Sequence, residues 1–136
     1  MAQIASERIK RTMVTDWQPS EETEQITVME WASLMAKQAP ELDLLFHIAN
    51  GGERHPAVAQ KLKRAGVKKG VPDLFLPVAR GGAHGLWVEM KRRKGGKVSP
   101  EQKEWMSALE AQGYVCVVAH GSDEACDAIW AYLEGE

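Results

Sequence analysis

The sequence predicts an α/β protein with three layers, in which helices cover both faces of a central mixed β-sheet. Two observations support this fold class. Apolar residues change along the chain from helical spacing to short strand-like runs and back. The run over 114–119 is almost wholly apolar, which is typical of a strand covered on both faces. Helices and strands in this order favour a three-layer α/β/α domain.

The first half of the chain predicts two helices around one strand. Residues 1–19 show weak periodicity and are expected to form an N-terminal arm, so the domain proper is assigned to 20–136. Ser20 is a candidate N-cap for a first helix that runs to about Lys37. A strand is expected over 42–48, followed by a turn at 49–52 and a basic surface helix over 56–65. The first helix has acidic residues in its first turn (Glu21, Glu22, Glu24) and an expected buried stripe of Ile26, Met29, Ala32, Ser33 and Ala36.

The second half predicts a hairpin and then a helix, a strand and a helix. Residues 73–78 and 86–90 are β-type runs around a glycine-rich turn, and Pro77 should weaken the first strand or mark a bulge in it. Ser99 is a candidate N-cap for a helix that ends at Gly113. The apolar strand at 114–119 follows, and Ser122 is a candidate N-cap for the last helix. A chain of 136 residues with 44% hydrophobic residues suits one such domain.

Composition narrows the classes of function. No run approaches the roughly 18 apolar residues that a membrane helix needs, and the N-terminus lacks a secretory apolar block, so we expect an intracellular protein. Cys116 and Cys126 have no metal-ligand spacing, which favours buried structural thiols over a disulfide or zinc site. The chain also lacks GxGxxG and GxxxxGK[ST] loops, which disfavours a nucleotide-dependent small-molecule enzyme.

Charge is segregated along the chain, although the net charge is only -2. Residues 54–103 contain 13 of the 17 Lys and Arg residues but only 3 of the 19 acidic residues. Clustered cations attract phosphate, so this segment indicates a polyanionic partner, whereas a simply solvated basic face is the alternative. Two of its three acids, Asp73 and Glu89, lie in apolar surroundings, where a carboxylate needs a partner.

Asp73, Glu89 and Lys91 form the candidate active centre. Glu89 and Lys91 are two residues apart in a strand, so they share a face. A hairpin centred near Gly82 would place Asp73 opposite Lys91 and diagonal to Glu89. Carboxylates and the Met90 carbonyl are hard oxygen ligands suited to Mg2+ or Mn2+, and Lys91 is suited to activating water. The alternative is that Asp73 caps a turn and that the other two are solvent-facing residues of an amphipathic strand.

Three ordered motifs carry a family resemblance: Gly-Val-Pro-Asp at 70–73, Glu-Met-Lys at 89–91 and Ser-x-x-Gln at 99–102. This set resembles the VRR-NUC family of the PD-(D/E)xK nuclease superfamily, as does the turn at 50–54. The resemblance implies a restriction-endonuclease-like core. It implies that Asp73 and Glu89 bind the metal, that Lys91 is the catalytic lysine and that Gln102 supports the site. It also implies a glutamate from the first helix, for which Glu21 is the first choice and Glu24 the second.

The resemblance further implies structure-specific DNA cleavage. Small stand-alone members resemble Holliday junction resolvases, and symmetric cutting of a junction needs two active sites, hence a homodimer. A non-catalytic nucleic-acid-binding module and a nuclease for flaps, nicks or duplex remain alternatives. The residues expected to contact DNA are Arg54, His55, Lys68, Lys69, Arg92, Arg93, Lys94 and Lys97.

Overall fold

The computed structural model describes residues 17–49 and 55–135, which contain four α-helices and a four-stranded sheet. The predicted arm therefore lies almost wholly outside the described residues, as does the turn at 50–54. The helices are α1 (Glu21–Met35), α2 (Pro56–Arg64), α3 (Pro100–Ala111) and α4 (Ser122–Glu134). The strands are β1 (Phe46–His47), β2 (Leu74–Leu76), β3 (Leu86–Lys91) and β4 (Val115–His120).

The sheet is mixed, as predicted, with spatial order β1-β2-β3-β4. The first three strands are antiparallel and β4 runs parallel to β3. The even-numbered β3 residues, such as Val88 and Met90, join the hydrophobic core beneath α1 and α4. The odd-numbered residues point to the other face, where α3 lies against β4. The three-layer α/β prediction is confirmed.

The expected strand over 42–48 was wrong for most of its length. Pro40–Leu44 is a 3-10 helix, and only the two residues of β1 pair with β2. The buried residues Leu42 and Leu45 are three apart, a spacing that aligns side chains on one face of a 3-10 helix. Proline at the first helical position favours this short helix over extension of the strand.

The buried stripe of α1 also differs from the prediction. Glu24, Val28 and Ala32 are buried, whereas Ile26 is 51% exposed and Ser33 is also exposed. Ala32 is buried as predicted, and Met29 and Ala36 are partly buried against the core, so the prediction missed Glu24 and Val28 and was wrong for Ile26 and Ser33. The buried face is instead set at i, i+4 and i+8 and begins with a carboxylate.

The hairpin register is shifted by two residues from the expected one. Leu74 pairs with Val88 and Leu76 with Leu86, which places Asp73 in line with Glu89 rather than Lys91. The turn residues Gly81 and Gly82 both have positive φ, typical of a two-residue hairpin turn, and are closed by the Arg80–Ala83 bridge. Three residues lie between the end of β2 and Arg80, but only two lie between Ala83 and the start of β3.

The extra residue lies beside Pro77, which cannot donate to the ladder. The Val78 amide turns back to the Leu76 carbonyl at 2.9 Å, so β2 ends there. The predicted effect of Pro77 is thus confirmed, and the bulge accounts for part of the register shift. Its consequence is that two carboxylates face each other across neighbouring strands.

Candidate active site

Asp73 lies at the start of β2 and links it to both neighbouring strands. Its carboxylate Oδ2 accepts a hydrogen bond from the Met90 amide on β3 at 2.8 Å. Its main-chain carbonyl accepts one from the Ile48 amide, also at 2.8 Å, and lies 2.8 Å from the His47 ring nitrogen Nδ1. The preceding Pro72 is buried. The Met90 contact fixes the carboxylate near the C-terminal end of β3.

Glu89 is almost fully enclosed, with 3% of its side chain exposed. Its Oε1 accepts a hydrogen bond from Gln102 Nε2 at 2.8 Å and lies 3.6 Å from the Lys91 ammonium. Its Oε2 is buried and accepts a hydrogen bond from no donor in the described part of the chain. A buried polar atom without a partner is costly, so this oxygen is available for a ligand.

The surroundings of Glu89 oppose its ionisation. Burial, as the largest cause, and the neighbouring Asp73 carboxylate together raise the pKa of this carboxyl to about 8. The charge of Lys91 lowers the pKa of Glu89 but does not cancel the two effects that raise it. Two carboxylates therefore share a poorly solvated space that holds less positive charge than they require, an arrangement typical of functional sites.

Gln102 is oriented by the helix that carries it. Ser99 caps α3, and the Gln102 side-chain oxygen accepts a hydrogen bond from the Ser99 amide at 2.8 Å, which completes a capping box. Because the oxygen is used there, the amide nitrogen is directed to Glu89. The same four-residue motif begins the helix and supplies a donor to the site.

Lys91 and Met90 complete the β3 part of the site. The Lys91 side chain is 9% exposed and lies on the same face as Glu89. The Met90 side chain is buried in the core on the opposite face. In a strand, the N–H and C=O of one residue point to the same side, so the Met90 carbonyl is directed toward Asp73, which accepts the Met90 amide.

The two candidate acids of α1 have different environments. Glu24 is 2% exposed, and its carboxylate accepts hydrogen bonds from Arg93 Nη2 at 2.9 Å and from the Ser122 amide at 2.8 Å. These bonds lower the pKa of Glu24, the Arg93 hydrogen bond most strongly. Glu21 is exposed and close enough for its charge to contribute to the raised pKa of Glu89. Of the two, Glu21 is the one whose charge acts on Glu89.

The link between Glu24 and Arg93 was missed in the sequence analysis. Gly121 has φ 95°, and a Cβ atom there would lie 2.5 Å from Glu24 Oε2, so glycine is required for the carboxylate to reach the start of α4. The signal available was an acidic residue four before Val28 in a helical pattern. The link joins α1, α4 and the segment after β3, and thereby fixes the helix that carries Glu21.

The residues expected to contact DNA lie in several settings. Arg54 is outside the described residues, and the His55 ring caps α2 by accepting a hydrogen bond from the Ala57 amide. Arg93 is engaged by Glu24, although its side chain is 48% exposed. The exposed Lys69 lies 3.6 Å from Glu101. The remaining expected residues are all exposed: Lys68, Arg92, Lys94 and Lys97.

The donor set suits a hydrated hard cation. No group of three or more His, Cys, Asp or Glu residues in the described ranges has metal-binding geometry by itself. The centre instead offers two carboxylates, one with an unpartnered oxygen, and a main-chain carbonyl. Mg2+ binds through one or two carboxylates and keeps several waters, so the residues present fit that ion. Cys116 and Cys126 lie apart from this centre as free, half-buried thiols, as expected, and burial raises the pKa of each to about 11.

Comparisons with known proteins identify the family to which this chain belongs. A comparison with curated proteins gave no match. A solved structure described as a "VRR_NUC domain protein" is 34% identical, with a TM-score of 0.74, and the match covers 87% of this chain and 91% of that one. None of the described helices is both long and apolar enough to cross a membrane. The VRR-NUC domain model matches residues 4–123, and the chain therefore belongs to the VRR-NUC family of nuclease-type domains.

Proposed function

We propose that this protein is a metal-dependent, structure-specific DNA endonuclease that hydrolyses phosphodiester bonds and acts as a homodimer on four-way junctions. The observation that carries the catalytic part is the unpartnered Oε2 of Glu89 beside the Asp73 carboxylate. Two neighbouring carboxylates in so poorly solvated a place must share either a proton or a cation, and a bound cation allows both to ionise. Family membership supports the nuclease class.

Mg2+ or Mn2+ would be held by Asp73, Glu89, the Met90 carbonyl and Glu21. When bound, the ion would polarise the phosphodiester and lower the pKa of a coordinated water. Gln102 holds one oxygen of Glu89 at 2.8 Å, which leaves the other directed to the site. Asp73 is held by the Met90 amide, so both carboxylates are positioned before substrate arrives.

Lys91 supplies the positive charge of the site. Its ammonium lies 3.6 Å from Glu89 Oε1, and its side chain is largely shielded from water. In such a setting Nζ can orient the attacking water by hydrogen bonding and offset the negative charge that grows on the phosphate. Both roles require the ammonium to lie on the same face as the carboxylates, which the strand alternation provides.

The catalytic proposal is tested by cleavage assays with labelled four-way junction, flap, single-stranded and duplex DNA in Mg2+, Mn2+ or EDTA. We expect the wild-type protein to cut the junction only with metal, and Asp73→Ala and Lys91→Ala to lose cleavage. Asp127→Ala, which changes an exposed acid on α4, is the matched control and should cut normally. Cleavage in EDTA, or cleavage by Asp73→Ala, would overturn the proposed site.

The finer parts of the proposal have separate readouts. Cleavage of flap, nicked or duplex DNA in preference to the junction would change the proposed substrate and leave the proposed metal-dependent hydrolysis in place. Binding of every substrate without cleavage would favour a non-catalytic binding module. Sedimentation of the protein alone and with junction DNA tests the homodimer, and a monomer in both conditions would exclude it.

A further inference from the structure

Helix α2 is a basic element that contributes no buried residue to the protein. The segment 55–70 around it contains five Lys or Arg residues and no acidic residue. Three of these cations, Lys61, Lys63 and Arg64, lie in the last turn of α2. A helix that does not build the core and carries only positive charge is unusual in a chain whose net charge is -2.

The segment 49–72, which connects β1 to β2 and carries α2, begins and ends at the candidate active site. Just before this segment, the Ile48 amide donates a hydrogen bond to the Asp73 carbonyl at 2.8 Å, and the residue that follows the segment is Asp73 itself. Near the end of the segment, Gly70 packs against the backbone of Glu101, where a Cβ atom would lie 2.7 Å from the carbonyl carbon. The two ends of this segment are therefore held beside the two carboxylates.

The faces of α2 separate by chemistry. Lys61 and Arg64 are three apart and share one face, while Val58 and Leu62 lie on another. Each of the three cations is exposed, and the salt bridges found among the described residues involve none of them. Cations in a last helical turn also stabilise the helix dipole, but that effect does not explain why Lys68 and Lys69 extend the same charge beyond the helix.

We propose that α2 is a DNA-gripping element, in which Lys61, Lys63 and Arg64 contact backbone phosphates of the duplex that flanks the scissile bond. This inference rests on the proposed function. The match is one of charge: duplex DNA presents regularly spaced phosphates, and the exposed cations of a segment that is anchored at Asp73 can contact them. None of these three residues is needed for the fold or for the carboxylate site.

The test is DNA binding measured by fluorescence anisotropy, with all proteins in an Asp73→Ala background so that the DNA stays intact. The probe is a labelled duplex, with a four-way junction as a second probe. The triple variant Lys61→Gln, Lys63→Gln, Arg64→Gln should raise Kd by at least about tenfold near physiological salt. The slope of log K against log salt should fall by about 0.9 for each phosphate contact removed.

Three controls separate charge from helix damage. Gln60→Ala alters the same helix without changing its charge, and Lys37→Gln removes an exposed lysine from outside the basic segment; both should bind like the parent. Replacing the three cations with Lys61→Arg, Lys63→Arg and Arg64→Lys should keep the salt slope. Circular dichroism and thermal unfolding confirm that each variant is folded.

The outcomes also distinguish this inference from the proposed function. An unchanged Kd and salt slope in the folded triple variant, or no DNA binding by the parent, would overturn the gripping role while leaving the catalytic assay to be judged separately. Conversely, a wild-type protein that never cuts DNA but loses binding in the triple variant would refute the nuclease proposal and keep α2 as the DNA-binding element.

Discussion

Replacing Glu89 with glutamine should stabilise the metal-free protein at neutral pH. Burial and the adjacent Asp73 carboxylate raise the pKa of Glu89 to about 8, whereas its ordinary value is 4.5. Unfolding at pH 7 therefore releases a proton, and the folded state is disfavoured by the buried carboxyl. Glutamine is nearly isosteric and uncharged. Its oxygen can accept the Gln102 hydrogen bond, and its amide can donate toward Asp73.

The pH dependence gives the sign and size of this effect. Because the folded pKa is raised, the contribution of Glu89 to stability is most favourable below about pH 4.5 and is lost as pH rises toward 8. At pH 7 the loss is on the order of 3 kcal/mol, since one pKa unit corresponds to about 1.4 kcal/mol. The difference between Glu89→Gln and wild type should thus be small near pH 5 and largest above pH 7.

Urea unfolding in EDTA at several pH values between 5 and 8 measures this difference directly. Glu30→Gln changes an exposed glutamate on α1 and should leave the pH profile unchanged. If Glu89→Gln unfolds at the same urea concentration as wild type across the whole range, Glu89 is a well-solvated or well-paired carboxylate. The reasoning from its burial would then be refuted.

Four further substitutions test the supporting contacts. Gln102→Leu removes a hydrogen bond to Glu89 and should lower junction cleavage by about 10- to 100-fold, while circular dichroism shows that the fold is kept. Arg93→Ala removes the guanidinium from the 2% exposed carboxylate of Glu24, which then keeps only the Ser122 amide as a donor, and should lower the free energy of unfolding. Glu24→Gln should cost less, because the 48% exposed guanidinium can be hydrated; equal losses in urea unfolding would contradict this asymmetry. Gly121→Ala should destabilise by about 1–3 kcal/mol from its positive φ alone, so an unchanged thermal midpoint would contradict the positive φ at this position.

The chemistry of the site was more predictable than its geometry. Asp73, Glu89 and Lys91 were identified because carboxylates and a lysine in apolar strand-like runs need a local reason. The register that places Asp73 in line with Glu89 was not predictable from residue types. It depends on the bulge beside Pro77, and a single extra residue changes which side chains face each other.

The choice between Glu21 and Glu24 as the acid from α1 also depends on tertiary structure. Sequence spacing placed Glu21 and Glu24 in one helical turn, three residues apart, so both lie on neighbouring parts of one face. Their roles are separated by contacts that come from distant parts of the chain. Arg93 and the start of α4 engage Glu24, and only tertiary structure could show that.

Gln102 takes part in both a local helix cap and a contact with a distant strand. The Ser-Pro-x-Gln sequence predicts a helix start from local chemistry alone, and the capping box forms as expected. The capping bond uses the Gln102 oxygen, which leaves its amide nitrogen for Glu89. That nitrogen donates a hydrogen bond to one oxygen of the Glu89 carboxylate, and the other oxygen is buried without a donor. A local helix signal therefore determines which oxygen of the candidate catalytic acid is available to a cation, because the hydrogen bond that starts α3 also sets the orientation of the side chain that holds Glu89.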